Sequence, residues 1–240
     1  MDAVKWLHEN GCPWDFFCTE SAAGGNHLEL LKWLKENDCP IGSAACAYAA
    51  VGGHLDVLKW LVENNVLPTE ATFAYAAQGG NFAVLEWLEG QNVPFNADAC
   101  RRAAEQGHFE VLKWLRNRNC AWDKETTKRA ASSGHLEILK WALENGCPID
   151  YDASVAAAQQ GRLEVLKWMK ANNCPWYMDL TINAAEGGHL ETLKWLREIG
   201  ERWSEMTYAL AVEYGQTEVA QWLKDNGCPL YEGKLKIFNF

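Results

Sequence analysis

At 240 residues, 48% apolar and 22% charged, the chain has a foldable composition rather than a disordered one. Its net charge of −10 argues against general nucleic-acid or anionic-membrane binding, because both require a basic surface. It has no apolar run of about eighteen residues, and no basic segment leading into an apolar core, so neither a transmembrane helix nor a signal peptide is expected.

Thirteen tryptophans set the frame. Nine of them (Trp6, Trp33, Trp60, Trp87, Trp114, Trp141, Trp168, Trp195 and Trp222) follow one another at steps of 27 residues without insertion or deletion. The other four, Trp14, Trp122, Trp176 and Trp203, each sit eight residues after one of these. Eight full units therefore begin at 1, 28, 55, 82, 109, 136, 163 and 190, and a partial unit covers 217–240. A fixed period of this length predicts a solenoid, with residues 1–240 forming a single repeat array.

Each unit opens on a helical stripe, as in Leu55, Val57, Leu58, Trp60 and Leu61. An acid at position 2 (Asp56, Glu137, Glu164) suits the helix N-terminus, and a lysine three residues on (Lys59, Lys140, Lys167) suits an ion pair along the helix. Position 11 is always Gly, Asn or Asp, which tolerate the left-handed conformation that ends a helix. A Cys-Pro step usually follows and prevents continuation. A further helix is predicted over positions 17–25. Its position 22 is alanine in every complete unit, from Ala22 and Ala49 to Ala184 and Ala211, which implies close helix contact.

The segments AAVGGHLDVLKWL (49–61), AASSGHLEILKWA (130–142) and AAEGGHLETLKWL (184–196) resemble the core of the ankyrin repeat. The compact form, with its Lys-Trp-Leu and Cys-Pro-Trp steps, looks like the short repeats of protist and large DNA virus arrays. The family's usual period is 33, so six residues are missing where its β-hairpin finger lies. The resemblance implies an all-α, ankyrin-like solenoid of stacked helix-turn-helix repeats with fingers shortened or absent. A leucine-rich repeat is the rival at this period, but its required asparagine falls at Glu63 and arrives one place late, at Asn64.

Nine cysteines in a chain with no secretory signal suggest reduced thiols. Six share position 12 (Cys12, Cys39, Cys120, Cys147, Cys174 and Cys228), about 8–10 Å apart if helical repeats stack, which is too far for a disulfide. No Cys-x-x-Cys spacing suggests zinc. Position 27 is histidine in five units (His27, His54, His108, His135 and His189). In the family it resembles, this histidine hydrogen-bonds neighbouring units, and Asn81, Arg162 and Gln216 replace it here. The tryptophans are expected to form a packed spine. No catalytic constellation, phosphate loop or metal motif occurs, so neither enzyme activity nor a cofactor is expected.

What remains is the variable face of the helix over positions 17–25, which is the first helix of the repeat in the family the chain resembles and there lines the concave groove. Position 21 reads Ser21, Tyr48, Tyr75, Arg102, Arg129, Ala156, Asn183, Leu210, and position 20 adds Arg101 and Lys128. Tyrosine and arginine dominate interface hot spots. We therefore take Tyr48, Tyr75, Arg101, Arg102, Lys128 and Arg129 as a candidate protein-binding surface for an acidic partner in the cytoplasm of its own or a host cell. Nucleic-acid or phospho-ligand binding through the same patch, and a structural spacer, are the alternatives. The apolar tail Lys234–Phe240 is expected either to fold over the last unit or to meet another surface.

Overall fold

In the helices beginning near position 1, the apolar residues at positions 3, 4 and 7 share one face, because 3.6 residues make a turn. That face is the core: Val57, Leu58, Leu61, Val84, Leu85, Leu88, Leu112, Leu115, Leu166 and Leu193 are all buried. The computed structural model describes residues 2–230, so the apolar tail at 234–240 lies outside the described residues. Seventeen helices and no strand occur among them, and the connection that would carry a finger is an irregular loop.

The chain divides into two compact units, Met1–Trp122 and Asp123–Phe240. The first holds α1 (Asp2–Glu9), α2 (Phe16–Gly24), α3 (Leu28–Glu36), α4 (Ala45–Val51), α5 (Leu55–Glu63), α6 (Glu70–Gly79), α7 (Phe82–Gly90), α8 (Ala97–Gln106) and α9 (Phe109–Asn117). The second holds α10 (Lys124–Ser133), α11 (Leu136–Glu144), α12 (Asp152–Gln159), α13 (Leu163–Ala171), α14 (Leu180–Glu186), α15 (Leu190–Glu198), α16 (Glu205–Glu213) and α17 (Thr217–Asp225). Even-numbered helices, the first of each repeat, stack in sequence: α2 on α4, α6 and α8 in one unit, α10 on α12, α14 and α16 in the other. Each also packs on the odd-numbered helix that follows it, the architecture of an ankyrin-like helical repeat solenoid.

The alanine rows explain that stacking. Ala22, Ala49, Ala76, Ala103, Ala130, Ala157, Ala184 and Ala211 are all buried, which allows neighbouring helix backbones to approach closely. At Gly79 and Gly187 the approach is tight: an added Cβ would lie 2.2 Å from the carbonyl oxygens of Val51 and Gln159 respectively.

The helix stops follow from backbone conformation. Every position 11 has positive φ, from Gly11 at 74° and Asp38 at 61° to Asn173 at 52° and Gly227 at 77°. The amide of position 12 then returns to the carbonyl of position 7, as in Cys39 to Leu34 at 2.9 Å and Cys228 to Leu223 at 2.9 Å. These bonds satisfy carbonyls that the helix end would otherwise leave open. Side-chain caps occur instead at the N-termini of even-numbered helices: Asp15, Asn96 and Asp123 accept from the amides of Phe17, Asp98 and Glu125, capping α2, α8 and α10.

Side chains bridge successive repeats at fixed registers. His54, His108 and His189 each place Nε2 within 3.0 Å of the carbonyl thirty residues earlier, on Gly24, Gln78 and Gln159. Where histidine is replaced, the bond remains: Asn81 donates to Val51, Arg162 to Ser132 and Gln216 to Glu186. The thiols of Cys39, Cys120, Cys147 and Cys228 donate to the carbonyls of Asp15, Asn96, Asp123 and Ser204. None of the nine cysteines forms a disulfide.

The tryptophans depart from the packed spine expected of them. Those at position 6 are half-buried at the margin of the core, and Trp6 is exposed. Position 6 lies one residue before the buried position 7, hence about 100° around the helix from it. The open ring faces attract cations: Lys35 sits 5.8 Å from the Trp60 centroid and Arg118 sits 3.7 Å from that of Trp114. Trp14, Trp176 and Trp203 meet Trp33, Trp195 and Trp222 edge to face at 5.7, 6.3 and 5.8 Å.

Candidate binding face of the first helices

On α4, α6 and α8, positions 18, 19, 22 and 23 are committed to the core, as Ala45, Cys46, Ala49 and Ala50 show. Position 21 lies off that face. The structure brings three of the six candidate residues together there, in the first compact unit. The rings of Tyr48 and Tyr75 lie 6.5 Å apart at 47°, and the Arg102 guanidinium lies 4.3 Å from the Tyr75 centroid. Tyr48 is 42% exposed, and Tyr75 and Arg102 are half-buried.

Arg102 is not a bare charge. Its Nε donates to Asp98 Oδ2 at 2.8 Å, and its Nη1 donates to Gln78 Oε1 at 2.6 Å. Burial works against the charged form, but the hydrogen bond and charge of Asp98, together with Tyr75, outweigh it and raise Arg102 above the ordinary guanidinium value. Asp98 stands four residues before Arg102, a spacing visible in the sequence. Gln78 stands 24 residues before it, and only the packing of α6 on α8 reveals that bond.

Arg101 is half-buried beside Arg102 on α8. Lys128 and Arg129 lie on α10 in the second unit, where Lys128 pairs with Glu125 at 3.3 Å and Arg129 is exposed. Nearby, exposed Lys124 pairs with Asp150 at 2.7 Å, and its hydrogen bond holds the Asp150 carboxyl below its usual range.

Beside the two tyrosines runs a cavity of about 310 Å³ lined by Ser43, Ala44, Ala47, Tyr48, Thr69, Ala71, Thr72 and Tyr75. The small residues at its floor were not singled out by sequence. Their signal is the pairing of a small residue at position 17 (Ala44, Ala71) with an aromatic one at position 21.

Among the described residues, no group of three His, Cys, Asp or Glu side chains is arranged to hold a metal ion. No described helix is long and apolar enough to cross a membrane. A family model described as "Ankyrin repeats (many copies)" matches residues 46–89, a stretch running from α4 into α7. No curated protein matches the chain. Ankyrin repeats in general mediate protein–protein interaction and are typically non-catalytic.

Proposed function

We propose that this chain, an ankyrin repeat protein, is a non-catalytic scaffold that binds a protein partner through the exposed face of its first helices. The observation that carries this reading is the contiguous Tyr48–Tyr75–Arg102 ladder, set on first helices whose positions 18, 19, 22 and 23 are committed to the core. Tyrosine and arginine offer large contact area with little conformational freedom to lose. Arg101 on α8, and Lys128 and Arg129 on α10, extend the candidate surface in each unit. An acidic partner would engage Arg102 by competing with Asp98 for the guanidinium. A reducing compartment such as the cytoplasm suits nine cysteines without a disulfide.

The test is affinity capture from lysate with the native chain and with a Tyr48→Ala, Arg102→Gln, Arg129→Gln variant. Loss of the captured partner, with the circular dichroism spectrum and melting temperature preserved, supports the reading. An unchanged partner set from the folded variant places the binding surface elsewhere.

A further inference from the structure

We propose that residues 231–240 of this chain dock on the uncovered face of its last repeat, formed by α16 and α17, and close the array there. None of the residues involved belongs to the candidate binding surface, so the inference stands or falls apart from the reading above.

The face is made of registers that are buried elsewhere. Position 23 is a fully buried alanine from Ala23 to Ala185, and in the last complete repeat it is Val212, 52% exposed. Position 19 is fully buried from Thr19 to Thr181, whereas Tyr208 is half-buried. On the helix that follows, position 4 is fully buried from Leu31 to Leu193, whereas Ala220 is half-buried. Tyr208 and Val212 stand four residues apart, on one side of α16. Each earlier first helix has a successor packed on it, as α14 has α16, and among the described residues α16 has none. Leu230, the last described residue, adds a further apolar side chain, 43% exposed.

The segment that follows has the length, apolarity and charge for this place. It starts directly after Leu230, and its ten residues reach up to about 33 Å, whereas α16 is about 13 Å long. Leu235, Ile237, Phe238 and Phe240 supply apolar area to set against Tyr208 and Val212. Lys234 and Lys236 suit an acidic face: α16 and α17 carry Glu205, Glu213, Glu218 and Asp225 against the single cation Lys224.

The same residues do not suit a ninth ordinary first helix. Position 22, alanine in every complete repeat, is Phe238, and position 18, buried from Ala45 to Thr207, is Lys234. A phenyl ring overfills a close helix seam but fits an open face.

The test compares hydrogen–deuterium exchange in four full-length chains: native, Val212→Gln, Leu235→Gln with Phe238→Gln, and all three substitutions together. Glutamine forms helix at least as well as valine, so on a bare face Val212→Gln would leave exchange in α16 unchanged. With the tail docked, the α16 amides should exchange at least fivefold faster in Val212→Gln and in the tail variant, with α10 and α12 unchanged. The triple variant should be little faster again, because both changes break one contact. Light scattering should give the same mass for all four chains. Unchanged α16 exchange in either variant, or effects that multiply in the triple variant, overturns the inference. So does a native dimer that the substitutions dissociate, which would give the face to a second copy.

Discussion

Single residues carry the connection from one repeat to the next. The position-27 bond to a carbonyl thirty residues earlier survives exchange of histidine for asparagine, arginine or glutamine, so what is retained is a donor at a fixed reach. Replacing His54 by Ala leaves the Gly24 carbonyl without this partner and should cost about 1 kcal/mol, read by urea denaturation. His54→Asn should recover most of that loss, as Asn81 does in its own repeat. Cys46 supplies a second test. Burial pushes its thiol from an ordinary 9.0 to about 12. Below pH 9 the thiol is protonated both folded and unfolded, so it makes no difference to stability there. Above that, the unfolded chain releases the proton and the folded chain does not, so stability falls as pH rises from 9 towards 12. Cys46→Ala should flatten this alkaline loss in a pH series of denaturation midpoints.

At the scale of elements, the helices were legible because several local signals agree. The residue at position 11, the Cys-Pro step and the acid-to-lysine spacing each mark the helix of positions 1–9, and the ion pairs form as spaced: Glu29–Lys32 at 2.6 Å and Glu164–Lys167 at 2.8 Å. Asn92 adopts φ 58°, so Asn92→Ala should cost about 1 kcal/mol while Asn92→Gly should be neutral or better, measured by thermal denaturation. The place of the tryptophans was not legible. Hydrophobic periodicity counts Trp60 among the apolar residues of its helix, but positions 3, 4 and 7 fill the core face and leave position 6 at its margin. The alanine rows were legible as a sign of close contact, and Ala103→Leu should destabilise by about 1–3 kcal/mol through overpacking between α6 and α8. For the site, the sequence register identified Tyr48, Tyr75 and Arg102 as one stripe. The sequence presents the arginines as charges for an acidic partner, whereas Asp98 and Gln78 already engage Arg102. Asp98 was readable from the four-residue spacing; Gln78 depends on which helix packs beside α8. The guanidinium, paired with Asp98 and lying over Tyr75, makes the surface aromatic first and cationic second.

At the scale of the molecule, each compact unit is a stack of similar helix pairs, and its stability is a sum of repeat and neighbour terms. A substitution should therefore act according to how completely its repeat is covered. Leu61 is fully buried, whereas Leu7, at the same register in the first repeat, is 44% exposed. Leu61→Ala should cost about 2–5 kcal/mol and Leu7→Ala well under half as much, compared by denaturant midpoints. Function is proposed for the face of the first helices that this packing leaves free to vary. The most direct measurement of that assignment is hydrogen–deuterium exchange on the chain with and without its captured partner. The account predicts new protection over α4, α6 and α8, strongest at Ala45–Val51 and Glu70–Gly79, with no new protection in α5, α7 and α9. Protection confined to α5, α7 and α9 would contradict it.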